Sequence, residues 1–142
     1  MKLLQPKNTL KTRSHSAFRL HYHVVFVIKY RRKLINKQIM ERLEDIFTDV
    51  LAKWGCQLTE FGSEGDHCHL LIEAHPSLDL SRLIGNLKTV SARHIRKENE
   101  EYLKQFFWKP LFWSRSYAVT TTGGANLETV KEYVLSQEKP SG

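Results

Sequence analysis

The sequence predicts an α+β fold, in which an antiparallel sheet carries helices on one face and is followed by one more helix. Four short runs of aromatic and β-branched residues are interrupted by two long segments of helical period. Their order is β-α-β-β-α-β, which is the split β-α-β arrangement. No internal repeat and no domain linker is present in the sequence. In this topology the first and third strands lie side by side at the centre of the sheet.

The length of 142 residues suits one domain with a sizeable core. Residues 1–17 are polar, basic and without period, which predicts a flexible N-terminal arm. Residues 18–142 would then form the single domain.

The first strand and the first helix have the clearest patterns. Residues 18–29 include an unbroken β-branched and aromatic run, typical of a buried central strand, and a basic turn follows at residues 29–33. Asn36 is a plausible N-cap and Gly55 a plausible end of the helix. The helix has apolar residues at steps of three and four: Ile39, Leu43, Ile46, Phe47, Val50, Leu51 and Trp54.

The middle of the chain predicts a hairpin and a second helix. Residues 56–62 form the second strand, residues 64–66 a turn, and residues 67–74 the third strand, which ends before a proline. Ser77 or Asp79 can cap the helix that follows. Leu80, Leu83, Ile84, Leu87 and Ile95 form its inner face.

The last third predicts a strand, a hinge and a helix. Residues 116–121 form the fourth strand, and the pair Gly123 and Gly124 is the most flexible point of the chain. A short helix runs from about Leu127 to Gln137. The whole order corresponds to a ferredoxin-like or RRM-like sheet with a C-terminal helix added.

Composition restricts the partners. A net charge of +7 favours an anionic partner such as nucleic acid. Cys56 and Cys68, the two cysteines, are too few for a disulfide framework or a Cys-x-x-Cys zinc site. Residues 24–28, the longest apolar stretch, are too short to cross a membrane, and no charged-then-apolar leader is present. We therefore expect a cytoplasmic protein that has no membrane partner.

Two pairs of residues suggest a reaction centre. His67 and His69 alternate with Cys68, so on a strand both imidazoles project from one face. Tyr133 and Gln137 stand one helical turn apart and share a helix face. Two imidazoles and an amide can hold a metal, and a phenol can act as a nucleophile. Each residue alone is more often a packing or solvated residue, and spacing does not show that the last helix meets the third strand.

The motifs resemble those of a known family, the single-tyrosine HUH transposases of bacterial and archaeal insertion sequences (IS200-like, transposase A type). Residues 65–72, GDHCHLLI, look like the HUH motif, in which U is hydrophobic and is here a cysteine. Further similarity covers residues 23–31, 87–93, 112–117, 123–124 and 133–137, in the family's order.

The resemblance implies metal-dependent cleavage and rejoining of single-stranded DNA through a 5′-phosphotyrosine on Tyr133. His67, His69 and Gln137 would hold Mg²⁺ or Mn²⁺, and no nucleotide cofactor is expected, in keeping with the absence of a GxxxxGK[ST] loop. The expected substrate is single-stranded DNA with hairpin ends. The resemblance also implies a homodimer whose active sites are shared between subunits, with Gly123 and Gly124 as the hinge.

Basic residues that could contact DNA lie in the turn after the first strand and on the second helix: Lys29, Arg31, Arg32, Lys33, Arg82, Lys88, Arg93 and Arg96. Phe112, Trp108 and Trp113 either stack on bases or close the core beneath the last helix, and we favour the core.

Several alternatives remain, among them a replication-initiating or conjugative HUH nickase, which usually has a larger chain, and a purely structural dimer domain. Two others are the most relevant. One is a host-domesticated HUH nuclease that acts on repetitive palindromes. The other is a non-catalytic, RRM-like nucleic-acid-binding module, although such modules present aromatic residues on their central strands where this chain has histidines.

Overall fold

The structure, a computed structural model, describes residues 19–140; the predicted arm at residues 1–17 lies outside that range. Four strands form one antiparallel sheet in the order β2-β3-β1-β4. The strands are β1 Leu20–Ile28, β2 Gln57–Glu64, β3 His67–Ala74 and β4 Trp113–Thr121. The helices are α1 Lys37–Lys53, α2 Leu80–Glu98, α3 Glu100–Leu103 and α4 Leu127–Gln137, and a 3-10 turn spans Lys29–Arg31.

This architecture confirms the predicted α+β fold, with β1 and β3 at the centre. The predicted caps are also present. The Asn36 side chain accepts from the Ile39 amide at 2.8 Å. Asp79, rather than Ser77, caps α2 by accepting from the Arg82 amide at 3.2 Å.

Two strands are longer than predicted because pairing continues through their ends. β2 extends to Glu64, which pairs with His67, so the β2–β3 turn is only two residues long. β4 begins at Trp113, which pairs with Ile28 after a register shift. Pairing partners, which sequence patterns do not disclose, therefore set these bounds.

The main core lies between the sheet and helices α1 and α2. Strand β1 alternates, so Val24, Phe26 and Ile28 face these helices and are fully buried. The ring of Phe26 lies 5.8 Å from that of Phe47 on α1, centroid to centroid.

Helix α4 covers the opposite face of the sheet, so only α1 and α2 satisfy the expectation of helices on one face. Val130 and Val134 of α4 pack on Val25 and Val27 of β1, and all four are at most 8% exposed. Burial of such a side chain stabilises the fold by roughly 1.5–3 kcal/mol. A small second core of valines thus attaches α4.

The aromatic segment before β4 packs differently from the prediction. Phe112 and Trp113 belong to the main core under α1, not beneath the last helix. Trp113 is opposite Ile28, which directs its ring to within 5.5 Å of Phe26. Trp108 joins no core and is 92% exposed.

Within residues 19–140, every helix is too short or too polar to pass through a lipid bilayer.

Candidate active site

The histidine pair lies on the sheet face that α4 covers. In the β1–β3 register His67 is opposite Val27 and His69 is opposite Val25, and the two valines pack against α4. The expectation that both imidazoles project from one face is therefore confirmed, and Cys68 points into the main core. The predicted helix and the predicted strand thus meet on one face.

His67 is held in one orientation and one tautomer. Its ring is 4% exposed, and its Nδ1 lies 2.8 Å from Asp66 Oδ1. Since a carboxylate only accepts, Nδ1 carries the proton. Nε2 is buried and has no hydrogen bond within residues 19–140; the nearest acidic oxygen, Glu64 Oε2, is 3.8 Å away. An imidazole fixed in this way presents its free lone pair to a metal.

Asp66 is in turn fixed by the basic turn. Arg31 Nε donates to Asp66 Oδ2 at 3.2 Å, and Lys33 Nζ lies 3.9 Å from the same oxygen. Burial alone would raise the pKa of Asp66, but the hydrogen bonds from His67 and Arg31 outweigh it and lower that pKa. Asp66 is therefore ionised at neutral pH.

The turn that presents Arg31 has a strained backbone. Tyr30 and Arg31 have φ of 59° and 53°, a left-handed conformation that costs about 1–2 kcal/mol per L-residue. Such strain is retained where the surrounding contacts require it. Here it places the Arg31 guanidinium on Asp66.

His69 is kept neutral by its surroundings. Its pKa is lowered by burial first and then by the positive charge of Lys131. Its ring lies against β2 at Gly62, where a Cβ would come within 2.5 Å of His69 Cε1. A larger residue at position 62 would force this ring to move, so glycine there allows the second imidazole to lie against the sheet.

Two charged residues of this face were not singled out from the sequence. Lys131, on α4, is only 9% exposed, and its Nζ lies 4.0 Å from Glu64 Oε2. Lys131 could have been noticed in the sequence, because it is a lysine placed between the apolar Leu127 and Val134 of a helix. Nothing in the sequence indicates Glu64, because its approach to His67 depends on the short β2–β3 turn.

Tyr133 and Gln137 are on α4 but are turned to solvent. Tyr133 is 65% exposed, Gln137 is exposed, and neither side chain hydrogen-bonds to an imidazole within residues 19–140. At about 100° per residue, Tyr133 projects from nearly the opposite side of α4 to Lys131. Lys131 marks the side nearest the histidines, so the phenol points away from the pair in its own chain.

The C-terminal end of α4 is anchored by Glu138. Its Oε2 accepts from the Tyr30 amide at 2.6 Å and its Oε1 from the Ser114 hydroxyl at 2.5 Å.

At the other end of α4, the predicted hinge is a turn. A Cβ at Gly124 would come within 2.6 Å of Thr120 Oγ1 and 3.3 Å of the Thr121 carbonyl oxygen, so a side chain there is crowded, whereas Gly123 faces open space. A hinge role for this pair stays a prediction.

The basic turn is adjacent to the candidate site. Arg31 and Lys33 contact Asp66, while Lys29 and Arg32 lie over the ring of the tyrosine between them, at 5.1 and 5.5 Å from its centroid. A DNA strand at the histidines would pass these cations.

The cations of α2 lie on the other side of the sheet and differ from one another in exposure and hydrogen bonding. Lys88 donates to the Ser114 carbonyl at 2.6 Å, and burial lowers the pKa of its ammonium group. Arg82 and Arg93 are exposed, and Arg96 is partly exposed. A role for any of them in DNA binding stays a prediction.

The donor set suits a metal only in part. Within residues 19–140, no three side chains of His, Cys, Asp or Glu are grouped closely enough to hold a metal ion. The unpaired Nε2 of His67 and the neutral ring of His69 do fit a divalent ion, with two nitrogen ligands. Remaining ligands would have to come from an amide such as Gln137, from water or from a substrate.

A central His-x-His strand, a basic turn and a helix that carries a tyrosine are the features on which the resemblance to single-tyrosine transposases rests. The chain belongs to the IS200-like transposase family: the sequence model of the family "Transposase IS200 like" matches residues 16–137. Membership of this family implies transposase function, that is, cleavage and transfer of DNA.

Individual relatives agree over most of their length. The chain is 28% identical over 120 residues to the ISDra2 transposase TnpA of Deinococcus radiodurans, covering 84% of this chain and 85% of that protein. It is 28% identical over 127 residues to the IS200 transposase of Salmonella typhimurium, covering 89% and 82% respectively.

Solved structures share the fold. A crystal structure of a candidate transposase from Deinococcus radiodurans R1 has a TM-score of 0.75 and 26% identity, with 87% of this chain and 94% of that chain covered. A REP-associated tyrosine transposase bound to a REP hairpin has a TM-score of 0.55 and 10% identity, with 81% and 62% covered. The second likeness concerns the fold alone.

Proposed function

We propose that this transposase cleaves and rejoins single-stranded DNA at insertion-sequence ends, with Tyr133 as the nucleophile. The observation that carries the proposal is the buried, unpaired Nε2 of His67, held by the Asp66 hydrogen bond on the other ring nitrogen. A neutral His69 stands beside it, on the face that the tyrosine helix covers.

Tyr133 supplies the covalent step. Its phenolic oxygen attacks the scissile phosphorus, the bond from phosphorus to the 3′ oxygen breaks, and a 5′-phosphotyrosine and a 3′-hydroxyl form. The phenolic proton goes to solvent and the leaving oxygen takes one up. Because one phosphate ester replaces another, a 3′-hydroxyl can reverse the reaction without a nucleotide cofactor.

A divalent ion, Mg²⁺ or Mn²⁺, would be held by His67, His69 and Gln137, and when bound it neutralises charge on the phosphate oxygens. The chain's own contribution is positional. Asp66 keeps the proton on Nδ1 of His67, and Gly62 lets the ring of His69 lie against the sheet. Lys131 adds a largely buried positive charge on the same face.

We further propose a homodimer in which Tyr133 of one subunit reaches the histidines of the other. Two features support this: Tyr133 is 65% exposed, and it projects from the side of α4 away from its own pair. Release of α4 at Gly123 and Gly124 would allow the exchange. The substrate we propose is single-stranded DNA that carries hairpin ends.

The test is formation of a covalent adduct. The protein is incubated with single-stranded DNA from the flanks of its own gene, with Mn²⁺ or with chelator, and resolved under denaturing conditions. We expect an adduct with Mn²⁺ that is absent with chelator and in Tyr133→Phe.

The matched control is Tyr117→Phe, since Tyr117 is another exposed tyrosine, at 42% exposure, and lies on β4. This variant should form the adduct normally. An adduct that persists in Tyr133→Phe would refute the nucleophile, and no adduct with any flanking DNA would favour the non-catalytic module.

A further inference from the structure

A groove of about 580 Å³ lies on the side of the sheet away from the histidines. The end of α2, helix α3 and the segment before β4 enclose it. Its apolar floor includes Leu103 and Phe107, each 6% exposed and part of the main core. None of its lining residues belongs to the candidate active site, and the ring of Phe107 lies 6.5 Å from that of Tyr30 in the basic turn.

The walls of this groove are strongly cationic. Five cations line it, against one carboxylate, Glu100: Arg93, Arg96, Lys97, Lys104 and Lys109. A surface with this imbalance attracts a polyanion and repels a basic segment.

Most of these charges are unused by the fold. Lys104 is paired with Glu101 at 2.8 Å, but Arg93, Arg96 and Lys97 make no side-chain hydrogen bond or ion pair within residues 19–140. Cations elsewhere are often engaged, as Arg42 is with Glu98 at 2.8 Å. Three cations on one helix end are therefore available for an external anion.

An exposed indole borders the same groove. Trp108 is 92% exposed, and the ammonium group of Lys109 lies 5.5 Å from its ring centroid. The other two tryptophans are anchored, Trp54 on Asn86 and Trp113 on Ser91, each through its indole N–H. A large aromatic face left in solvent beside available cations matches what single-stranded nucleic acids use: a stacking surface for a base and charges for its phosphates.

We propose that this groove binds unpaired nucleotides of the DNA strand, with a base stacked on Trp108 and phosphates on Arg93, Arg96 and Lys97. The proposal rests on the proposed function for the identity of the strand. The protein would hold its substrate at two places: the histidine face, where the strand is cut, and the groove, where uncut nucleotides are retained. The bases of a duplex are already stacked on each other, so a duplex gains nothing from the indole.

The test uses the full chain carrying Tyr133→Phe, so that no cleavage occurs. Binding of a labelled oligothymidine of about 12 nucleotides, within the usual range of single-strand sites, is measured by anisotropy over a range of salt concentrations. Trp108→Ala should weaken binding by about 5- to 150-fold, as expected for one stacked base. Trp108→Phe, which keeps an aromatic face, should restore most of the affinity. A blunt duplex of the same length should bind equally well to the proteins with and without the Trp108→Ala substitution.

The charges are tested separately. Arg93→Ala with Arg96→Ala should lower the slope of log affinity against log salt by about 1.4, or roughly 0.7 for each phosphate that is no longer neutralised. The matched control is Lys37→Ala, which removes an exposed cation of α1 outside the groove and should leave the slope unchanged. Circular dichroism verifies that each variant is folded.

Equal affinity of Trp108→Ala and Trp108 proteins for oligothymidine would overturn the proposal. So would a change in oligomeric state on Trp108→Ala with unchanged DNA binding, which would make the groove a protein interface. The adduct assay with intact Tyr133 stays independent: an adduct without Trp108-dependent binding refutes the groove alone, and Trp108-dependent binding without any adduct refutes the nucleophile alone.

Discussion

Asp66 connects the histidine pair to the basic turn. It accepts from His67 Nδ1 on one oxygen and from Arg31 on the other, and it is only 5% exposed. One carboxylate therefore fixes the tautomer of His67 and holds the strained turn of Tyr30 and Arg31. Its removal should affect metal binding although it is not proposed as a ligand.

The variant Asp66→Asn should weaken Mn²⁺ binding by roughly 10- to 100-fold, because this change removes the charged acceptor that orients His67. The Mn²⁺ concentration that gives half-maximal cleavage measures this. Asp45→Asn, an exposed carboxylate on α1, is the control and should not change it. A wild-type Mn²⁺ requirement in Asp66→Asn would contradict the role given to this residue.

The lowered pKa of Asp66 predicts the direction of a pH effect. A carboxylate with a folded pKa below its unfolded value stabilises the fold above the unfolded value, and that stabilisation disappears as pH falls through the folded value. Wild type should thus be more stable than Asp66→Asn to urea at pH 7, and the difference should vanish in strong acid. A difference independent of pH would be inconsistent with an ionised Asp66.

At this scale the sequence predicts which side chains share a face but not what surrounds them. Alternation along β3 was enough to place His67 and His69 together. The approach of Glu64 and Lys131, and the room that Gly62 gives to His69, depend on register and helix docking. Those contacts join residues from different strands and helices.

Helix α4 is attached by few apolar contacts and one polar anchor. Val130 and Val134 supply its buried side chains, together with Lys131, and Glu138 ties its end to Tyr30 and Ser114. Helix α1, in contrast, buries six apolar residues in the main core. A lightly attached helix is the element that can exchange between subunits at least cost.

Mixed dimers test this exchange. Chains with His67→Ala and His69→Ala are combined with chains carrying Tyr133→Phe, each inactive alone. If the tyrosine acts on the partner's histidines, mixing should restore about a quarter of wild-type sites, since half of randomly assembled dimers are mixed and each has one intact site. Adduct yield measures it. No recovery after verified subunit exchange would show that each site is built within one chain.

The bounds of α4 could be predicted from the sequence, but the face on which it packs could not. The sequence patterns predicted its bounds, about Leu127 to Gln137, as the structure has them. They did not predict that α4 packs on the face opposite α1 and α2, because an apolar stripe does not specify its partner. Trp113 shows the same limit: a register shift in β1–β4 pairing sends its ring to the main core.

In the whole molecule, the two faces of the sheet differ in what lies on them. The histidines, Glu64 and α4 lie on one face. The main core and the cationic groove around Trp108 lie on the side of the other face. The total charge predicted an anionic partner, but composition alone does not distribute charge over two faces. The basic turn lies next to both, since Arg31 contacts Asp66 and the ring of Tyr30 lies 6.5 Å from that of Phe107.

The burial of the two cysteines predicts how their thiols react. Burial raises the pKa of both Cys56 and Cys68, and Cys68 is fully buried on the side away from its flanking histidines. In Cys56→Ser protein at pH 8, Cys68 should react with a disulfide reagent only after addition of denaturant. Rapid labelling of the folded protein would mean that the Cys68 thiol does not point into the main core.

The covalent role of Tyr133 is tested most directly by locating the attached nucleotide. Wild-type adduct formed with Mn²⁺ is digested with nuclease and trypsin and analysed by mass spectrometry. The predicted result is a nucleotide on the peptide of residues 132–142, joined at Tyr133 through an alkali-stable phosphotyrosine. Attachment at Ser136, or at any other peptide, would contradict it.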